Sequence, residues 1–565
     1  MNKKRWIILN TIIIFSFFAV LLRLIDLMIL DHKLLSEKAK QQHIKVEDVQ
    51  MRRGTIFDRH GRELAMNLEL ESLYCEPDIF NRDDKSIKKL ASAIAEEPKV
   101  ILAKIPSEGK FAWVERKLDS SLAERVKELN IKGLGFMNEA KRVYPKGKLA
   151  SNILGFVGVD NQALEGIELQ YDRYLKAKGG KVFFGRDASG RILSSGVDKE
   201  TKGNNIVLTI DEGLQGIVEE EIEKAMVKWK ATAASAIMMD PYTGEILAMA
   251  NRPSYDPNKP GKASDFEKRN RAITDCYEPG STFKIIVGIA ALEEKIVNPD
   301  TLFDVSKGGI EVGGRVIHDI DRHGILSFKE IIQKSSNVGS IMIGMKLGKE
   351  RIYKYAKRMG IGEKTGLDLP GEVSGWIHPP ERWSATSLGA ISIGQEVAVT
   401  PLQILRAYSV VANGGFLVKP HILSEVISSE GQLLFSLTER EGNRIISRST
   451  AEMFKEILKS VVEGGTGESA SIKWNEVAGK TGTAQMIDPF TKRYSKERYV
   501  SSFVGFVPAD NPRLALIVVI YEPKGQIFGG VVAAPVFRDI ADQALSYLDV
   551  PIEDNHYKSL LVVSR

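Results

Sequence analysis

Cysteine is nearly absent from this chain: of 565 residues only Cys75 and Cys276 carry a thiol. Two cysteines are too few for a disulfide scaffold and form no paired metal-ligand spacing, so a cystine-stapled domain and a zinc module are both excluded. They could pair only if the fold brings them together. A dominant charge is lacking as well. Lys and Arg total 78 against 73 Asp and Glu, a net of +5, which leaves no electrostatic footprint for nucleic acid. No second apolar run of spanning length follows the first 30 residues, which excludes a polytopic membrane protein. Fixed-period repeats and low-complexity tracts are missing too. The remaining composition, 43% hydrophobic and 27% charged, is that of a globular chain, and at roughly 150 residues per domain the length makes room for two to four folded units.

What is present begins at the N-terminus. Lys3, Lys4 and Arg5 precede an apolar run over residues 6–22, which continues less purely through Arg23 and Asp26 to Leu30. At ~1.5 Å of helical rise per residue this run crosses a bilayer core. The following Arg23-Leu24-Ile25-Asp26-Leu27 offers no small-residue cleavage site, so an uncleaved single-pass anchor is expected instead of a removed signal peptide. Positive charge before the span places the N-terminus in the cytoplasm and everything after Leu30 outside.

Residues 31–50 are polar with scattered Leu, Ile and Val, the pattern of a stalk helix leaving a membrane. Residues 52–65 read as two short strands joined by a turn at His60-Gly61. Helical periodicity dominates residues 82–129, and from Val143 onward short strands and Gly-rich turns mix with a helix near residues 167–175. Residues 52–202 therefore read as one elongated α+β unit without a catalytic cluster. A second unit opens with a strand at residues 206–210 and an amphipathic helix at 215–230. Residues 234–239 and 245–250 flank Pro241-Tyr242-Thr243-Gly244 as a β-hairpin, and residues 500–507 and 514–521 flank a Pro-rich turn as another. Strands at both ends with mostly helical segments between them imply one antiparallel sheet covered by helices, closed by a helix at 536–548.

The chemistry concentrates in this second unit. Pro279-Gly280 breaks the chain before Ser281, and the apolar run from Ile285 starts a buried helix with Ser281 at its N-terminus and Lys284 three residues on. A serine hydroxyl needs a base, and a lysine serves only when desolvation or a nearby cation depresses its pKa. Ser86 with Lys89 and Ser107 with Lys110 repeat the spacing, but they sit in a charged run and beside a turn. Cys276 as a thiol nucleophile lacks a supporting His or Asn pattern. Ser335-Ser336-Asn337 falls in an expected helix over residues 328–347, where buried polar groups need partners; Lys284 would supply one, and Ser335 could pass a proton to a leaving group. Lys480, Thr481, Gly482 and Thr483 lie in an expected strand over 477–486, with Gly482 permitting close backbone approach. There the hydroxyls and Lys480 would bind a carboxylate, and the amides of Thr483 and Ser281 would form an oxyanion hole. Lys364-Thr365-Gly366 repeats the triplet in a loop, and a phosphate-loop reading fails because Trp474 stands where a glycine is required. His318, Asp319, Asp321 and His323 fit no zinc spacing and read as a solvated loop, so neither a metal nor a cofactor is expected.

Ser281-x-x-Lys284, Ser335-x-Asn337 and Lys480-Thr481-Gly482, in this order, resemble the three active-site motifs of penicillin-binding proteins and serine β-lactamases. Arg53-Gly54 through Ala65, residues 166–172, residues 243–249 and Gly394-Gln395 extend the resemblance over nearly the whole chain to class B penicillin-binding proteins, with division-specific members the best match. Ser336, where class A β-lactamases carry Asp, agrees with the penicillin-binding side. The resemblance implies a cytoplasmic tail (1–5), an anchor (6–30), a stalk (31–50), a pedestal of the penicillin-binding protein dimerisation type (51–202), a transpeptidase domain (203–549) and a tail (550–565). It implies a peptidoglycan D,D-transpeptidase of the septum that is acylated at Ser281 by D-alanyl-D-alanine stem peptides and by β-lactams. Lacking a glycosyltransferase domain, it would work beside a glycan polymerase of the shape, elongation, division and sporulation family and other divisome proteins of the cytoplasmic membrane. An elongation-specific transpeptidase, a D,D-carboxypeptidase or β-lactamase, and a non-catalytic β-lactam sensor or scaffold are the alternatives on the same fold.

Overall fold

The computed structural model describes residues 3–33, 44–48, 52–177, 181–186, 192–197, 202–437, 442–488 and 490–551. Most of the expected stalk, and the C-terminal tail from residue 552, lie outside the described residues. The apolar N-terminal run is a helix, Lys3–Ile25, continued by a wider turn over Asp26–Leu30. None of the residues in Lys3–Ile25 is buried, and an 18-residue window within the span Lys3–Ile29 has a mean hydropathy of 2.5. It is the one helix among the described residues long and apolar enough to cross a membrane, and it fits a single-pass anchor.

The rest of the chain forms two compact units that do not follow chain order. The smaller comprises Met1–Arg53, Leu70–Ala140 and Lys176–Gly203, the larger Gly54–Glu69, Lys141–Leu175 and Asn204–Arg565. In the smaller unit the stalk expectation is corrected at Ile44–Asp48, which is a strand paired antiparallel with Lys181–Arg186; the alternation of Ile44 and Val46 with charged neighbours suits a strand. The helical expectation over 82–129 is correct for Asp84–Ile94, Pro98–Lys104 and Ser120–Glu128. It fails between them. Ala112–Leu118 is a strand pairing with residues 71–75, because cross-strand packing outweighs local periodicity. Leu73, Leu90, Ile101, Val114 and Val126 form this unit's core.

The larger unit is built on a five-stranded antiparallel sheet in the order Ile246–Arg252, Ala233–Met239, Leu514–Tyr521, Tyr494–Val507, Ala478–Ile487. The first and last parts of the unit thus share one sheet, as the hairpins at its two ends predict. Alternation sorts the strand residues onto two faces. Ala236, Met238, Leu516 and Val518 pack with the helices Glu212–Trp229 and Ala534–Tyr547, while Ile237, Met239, Ile517 and Val519 face the core containing the helices Lys284–Glu293 and Pro401–Ala412. Gly54–Glu69 and Lys141–Leu175 join this unit through buried polar contacts. Arg142 donates to Glu168 (2.6 Å) and to the Gly54 carbonyl (2.8 Å), Ile56 pairs in parallel with Ile206, and a Cβ on Gly54 would fall 1.8 Å from the Asn204 carbonyl oxygen.

Candidate active site

Ser281 lies in a 3₁₀ turn, Gly280–Phe283, that precedes the helix Lys284–Glu293; the serine is thus just ahead of the α-helix expected to start with it. Gly280 holds φ 55°, a left-handed conformation that favours glycine. The Gly280 amide donates to the Gly394 carbonyl (3.0 Å), and the buried Tyr408 hydroxyl donates to the Thr282 carbonyl (3.0 Å). The turn is therefore held from both sides.

Lys284 is 1% exposed. Its Nζ donates to the Ser335 carbonyl (2.7 Å) and Asn337 Oδ1 (2.9 Å) and lies 3.3 Å from Ser335 Oγ and from the Ser336 carbonyl. Burial pushes this amine down to about 7, against the opposing pull of the Asp319 carboxylate. The first and second motifs thus meet at one nitrogen.

The continuous helix expected over residues 328–347 is broken here. Phe328–Gln333 and Asn337–Leu347 are separate helices, and Ser335 between them holds φ 59°. Ser336 is the N-cap of the second helix and accepts from the Gly339 amide (2.9 Å), the usual work of a serine at that position. Asp319, expected in a solvated loop, completes the cap: it accepts from Ser336 Oγ (2.8 Å), from the Val338 amide (3.0 Å) and from the Asn337 amide. A serine three residues before Gly339 was a readable cap signal; the capping role of Asp319, 17 residues from Ser336, carried none.

The third motif lies on the edge strand Ala478–Ile487, where Lys480 pairs with Val504 and Thr483 with Ser501. Lys480 is 1% exposed; burial and the charge of Lys284 hold its amine well below the usual lysine range. Thr481 Oγ1 bonds Thr466 Oγ1 (2.9 Å), and Thr483 Oγ1 accepts from the Gly529 amide (3.0 Å). A Cβ on Gly482 would meet Ser502 Oγ at 2.4 Å and the Pro279 carbonyl oxygen at 3.1 Å, so this glycine lets the strand lie against the serine turn. Ser281, Ser335, Asn337, Thr481 and Thr483 all line one cleft of about 530 Å³.

Thr365 and the two cysteines do not line this cleft. Thr365 donates through its amide and hydroxyl to Glu372 and closes a loop. Cys75 is buried and Cys276 exposed, and both are free. The solvated-loop reading of His318, Asp319, Asp321 and His323 is corrected: Asp319, Asp321 and His323 line the same cleft, and the His318 carbonyl accepts from Asn337 Nδ2 (3.2 Å).

Residues 234–542 match the family described as "Penicillin binding protein transpeptidase domain", and residues 48–208 the "Penicillin-binding Protein dimerisation domain". The chain is 37% identical over 522 residues to Stage V sporulation protein D of Bacillus subtilis, covering 89% of this chain and 79% of that protein. It is 32% identical over 535 residues to Peptidoglycan D,D-transpeptidase FtsI of Escherichia coli, covering 93% and 88%. Its fold is similar to that of penicillin binding protein 3 from Mycobacterium tuberculosis complexed with aztreonam, with a TM-score of 0.70 and 28% identity over 90% of this chain and 98% of that one. The chain belongs to the class B penicillin-binding proteins.

Proposed function

We propose that this chain is a membrane-anchored peptidoglycan D,D-transpeptidase that cross-links stem peptides through an acyl-enzyme on Ser281 during septal wall synthesis. The observation that carries this reading is the buried Lys284 amine, joined to Ser335 and Asn337 in the cleft that also holds Ser281 and Thr483. With its pKa lowered to about 7, about half of this amine is unprotonated at neutral pH, and a general base needs that form.

In the proposed reaction Lys284 takes the Ser281 proton as Oγ attacks the penultimate D-alanine carbonyl. The Ser281 and Thr483 amides receive the oxyanion. Ser335 relays the proton from Lys284 to the leaving D-alanine amine as the peptide bond breaks, and Asn337 orients Lys284. Lys480, Thr481 and Thr483 bind the terminal carboxylate, with Gly482 keeping the strand close. An amine of a second stem peptide then attacks the acyl-enzyme, passes its proton back through the same groups and frees Ser281.

The N-terminus is assigned to the cytoplasm, with the pedestal (51–202) and transpeptidase domain (203–549) outside. The proposed partner is a glycan polymerase of the shape, elongation, division and sporulation family. The 37% identity to Stage V sporulation protein D supports a second reading of the same chemistry, wall synthesis during sporulation.

The test is intact-mass analysis of the full chain after exposure to a β-lactam, with peptide mapping and a chase in buffer. A lasting adduct on Ser281, absent in Ser281→Ala, is expected. Rapid loss of the adduct would point to a hydrolase, and no adduct to a non-catalytic scaffold. Stem peptides supplied with an acceptor amine should give cross-linked product; release of D-alanine alone would mark a carboxypeptidase.

A further inference from the structure

Glu278 stands three residues before Ser281, and no step of the proposed reaction uses it. It does not line the cleft, whereas Gly280 and Ser281 do. Its carboxylate is nevertheless fully engaged on one side: Oε1 accepts from the Glu396 amide (3.0 Å) and from the Tyr494 hydroxyl (3.1 Å). Oε2 is buried and has no hydrogen-bond partner among the described residues. Burial, with the Glu396 charge nearby, holds the group above the usual carboxylate range. An apolar side chain would avoid this desolvation, so the carboxylate is better explained by what it accepts than by the space it fills.

One donor comes from a turn that lines the cleft, the other from the strand paired with the Lys480 strand. Glu396 follows Gly394 and Gln395, and Gln395 lines the cleft. Glu396 holds φ 54°, a strained conformation for a residue with a side chain, and its amide is the one given to Glu278. Tyr494 opens the strand Tyr494–Val507, pairs with Ile487, and so begins the hairpin partner of the Lys480 strand. The surroundings leave little slack. A Cβ on Gly394 would lie 2.1 Å from the Gly280 carbonyl oxygen, and a Cβ on Gly280 would lie 3.1 Å from that of Thr483.

We propose that Glu278 is a positioning residue for acylation: it ties the Gly394–Gln395–Glu396 turn and the start of the Tyr494 strand to the serine turn, and so sets the Ser281 amide against the Thr483 amide. This rests on the transpeptidase reading, because the two amides matter only as an oxyanion hole. Glu278 exchanges no proton with substrate and contacts none. A shift of the serine turn by a fraction of an ångström would lower the acylation rate while leaving the carboxylate-binding strand in place.

The experiment compares the full chain with Glu278→Ala, Glu278→Gln and Tyr494→Phe in detergent. Acylation by a β-lactam is followed at rising concentration to separate the limiting rate from the half-saturating concentration. Hydrogen exchange is measured on peptides covering residues 394–399 and 514–521. Glu278→Ala should lower the limiting rate about 10–100-fold, the cost of a misplaced reacting group, with little change in half-saturation. Glu278→Gln, which keeps an acceptor oxygen, should restore the rate to within about threefold of the parent, and Tyr494→Phe should fall between the two. Exchange at 394–399 should quicken in Glu278→Ala while 514–521 stays protected. An unchanged limiting rate in Glu278→Ala, an equal loss in Glu278→Gln, or unchanged protection at 394–399 would each overturn the proposal. Should the parent chain take up no β-lactam, the function reading falls, and exchange alone still decides whether the tie exists.

Discussion

At the scale of single residues, the proposed chemistry depends on the protonation of one buried amine. Desolvation lowers the Lys284 pKa to about 7, and Asp319 partly opposes it. In the proposed reaction acylation requires the free amine, so the rate should fall as pH drops below about 7 and level off above it, which a pH series of β-lactam labelling would show. Asp319→Asn removes the opposing negative charge, so the midpoint should move to lower pH; a midpoint that stays or rises would remove Asp319 from the electrostatics of the site. The same shift has a signature in stability. Between about 7 and the ordinary lysine value near 10.5 the unfolded chain binds the proton that native Lys284 lacks, so its contribution makes stability rise with pH across that window. Over the same range the melting temperature of the parent should rise with pH relative to that of Lys284→Met. The residue types for this chemistry were readable from the triplets. The depressed pKa was only inferable, because it depends on packing around Nζ by groups more than 50 residues away.

At the scale of elements, the second motif reaches Lys284 because its helix is interrupted. Ser335 accepts a left-handed backbone between two helices, which places its hydroxyl and carbonyl at Lys284 instead of within a helical ladder. Ser335→Gly should therefore raise the melting temperature, since glycine relieves about 0.5–1 kcal/mol of left-handed strain, while acylation falls with loss of the hydroxyl. A variant both less stable and less active would show that the Ser335 hydroxyl also supports the fold. Gly482→Ala is expected to do the opposite kind of damage. Its Cβ must displace Ser502 or the serine turn, costing about 1–3 kcal/mol of overpacking together with most β-lactam labelling. The strands at both ends of the larger unit were legible from alternation and turn residues. The helix break was not, because the apolar residues on either side keep helical spacing through it and Asp319, which caps the second helix, is remote in sequence.

At the scale of the whole molecule, the N-terminal apolar helix Lys3–Ile25 carries no buried residue of its own, so deleting residues 3–25 removes no buried side chain. The truncated chain should move from washed membranes to the soluble fraction and still be labelled on Ser281; loss of labelling would reveal a contribution of the anchor to folding. The anchor was plain in the sequence because composition alone decides it. The division into compact units was not, because Gly54–Glu69 joins the larger unit through Arg142, Glu168 and a strand pairing 150 residues away, and single-chain periodicity carries no record of such partners. The strand order has a further consequence in time. Ala233–Met239 reaches the Lys480 strand only through Leu514–Tyr521 and Tyr494–Val507, so the three motifs cannot be assembled until residue 521 has been synthesised and has emerged. A nascent chain is in this sense a silent enzyme, unable to take up substrate or antibiotic until its last sheet strand arrives.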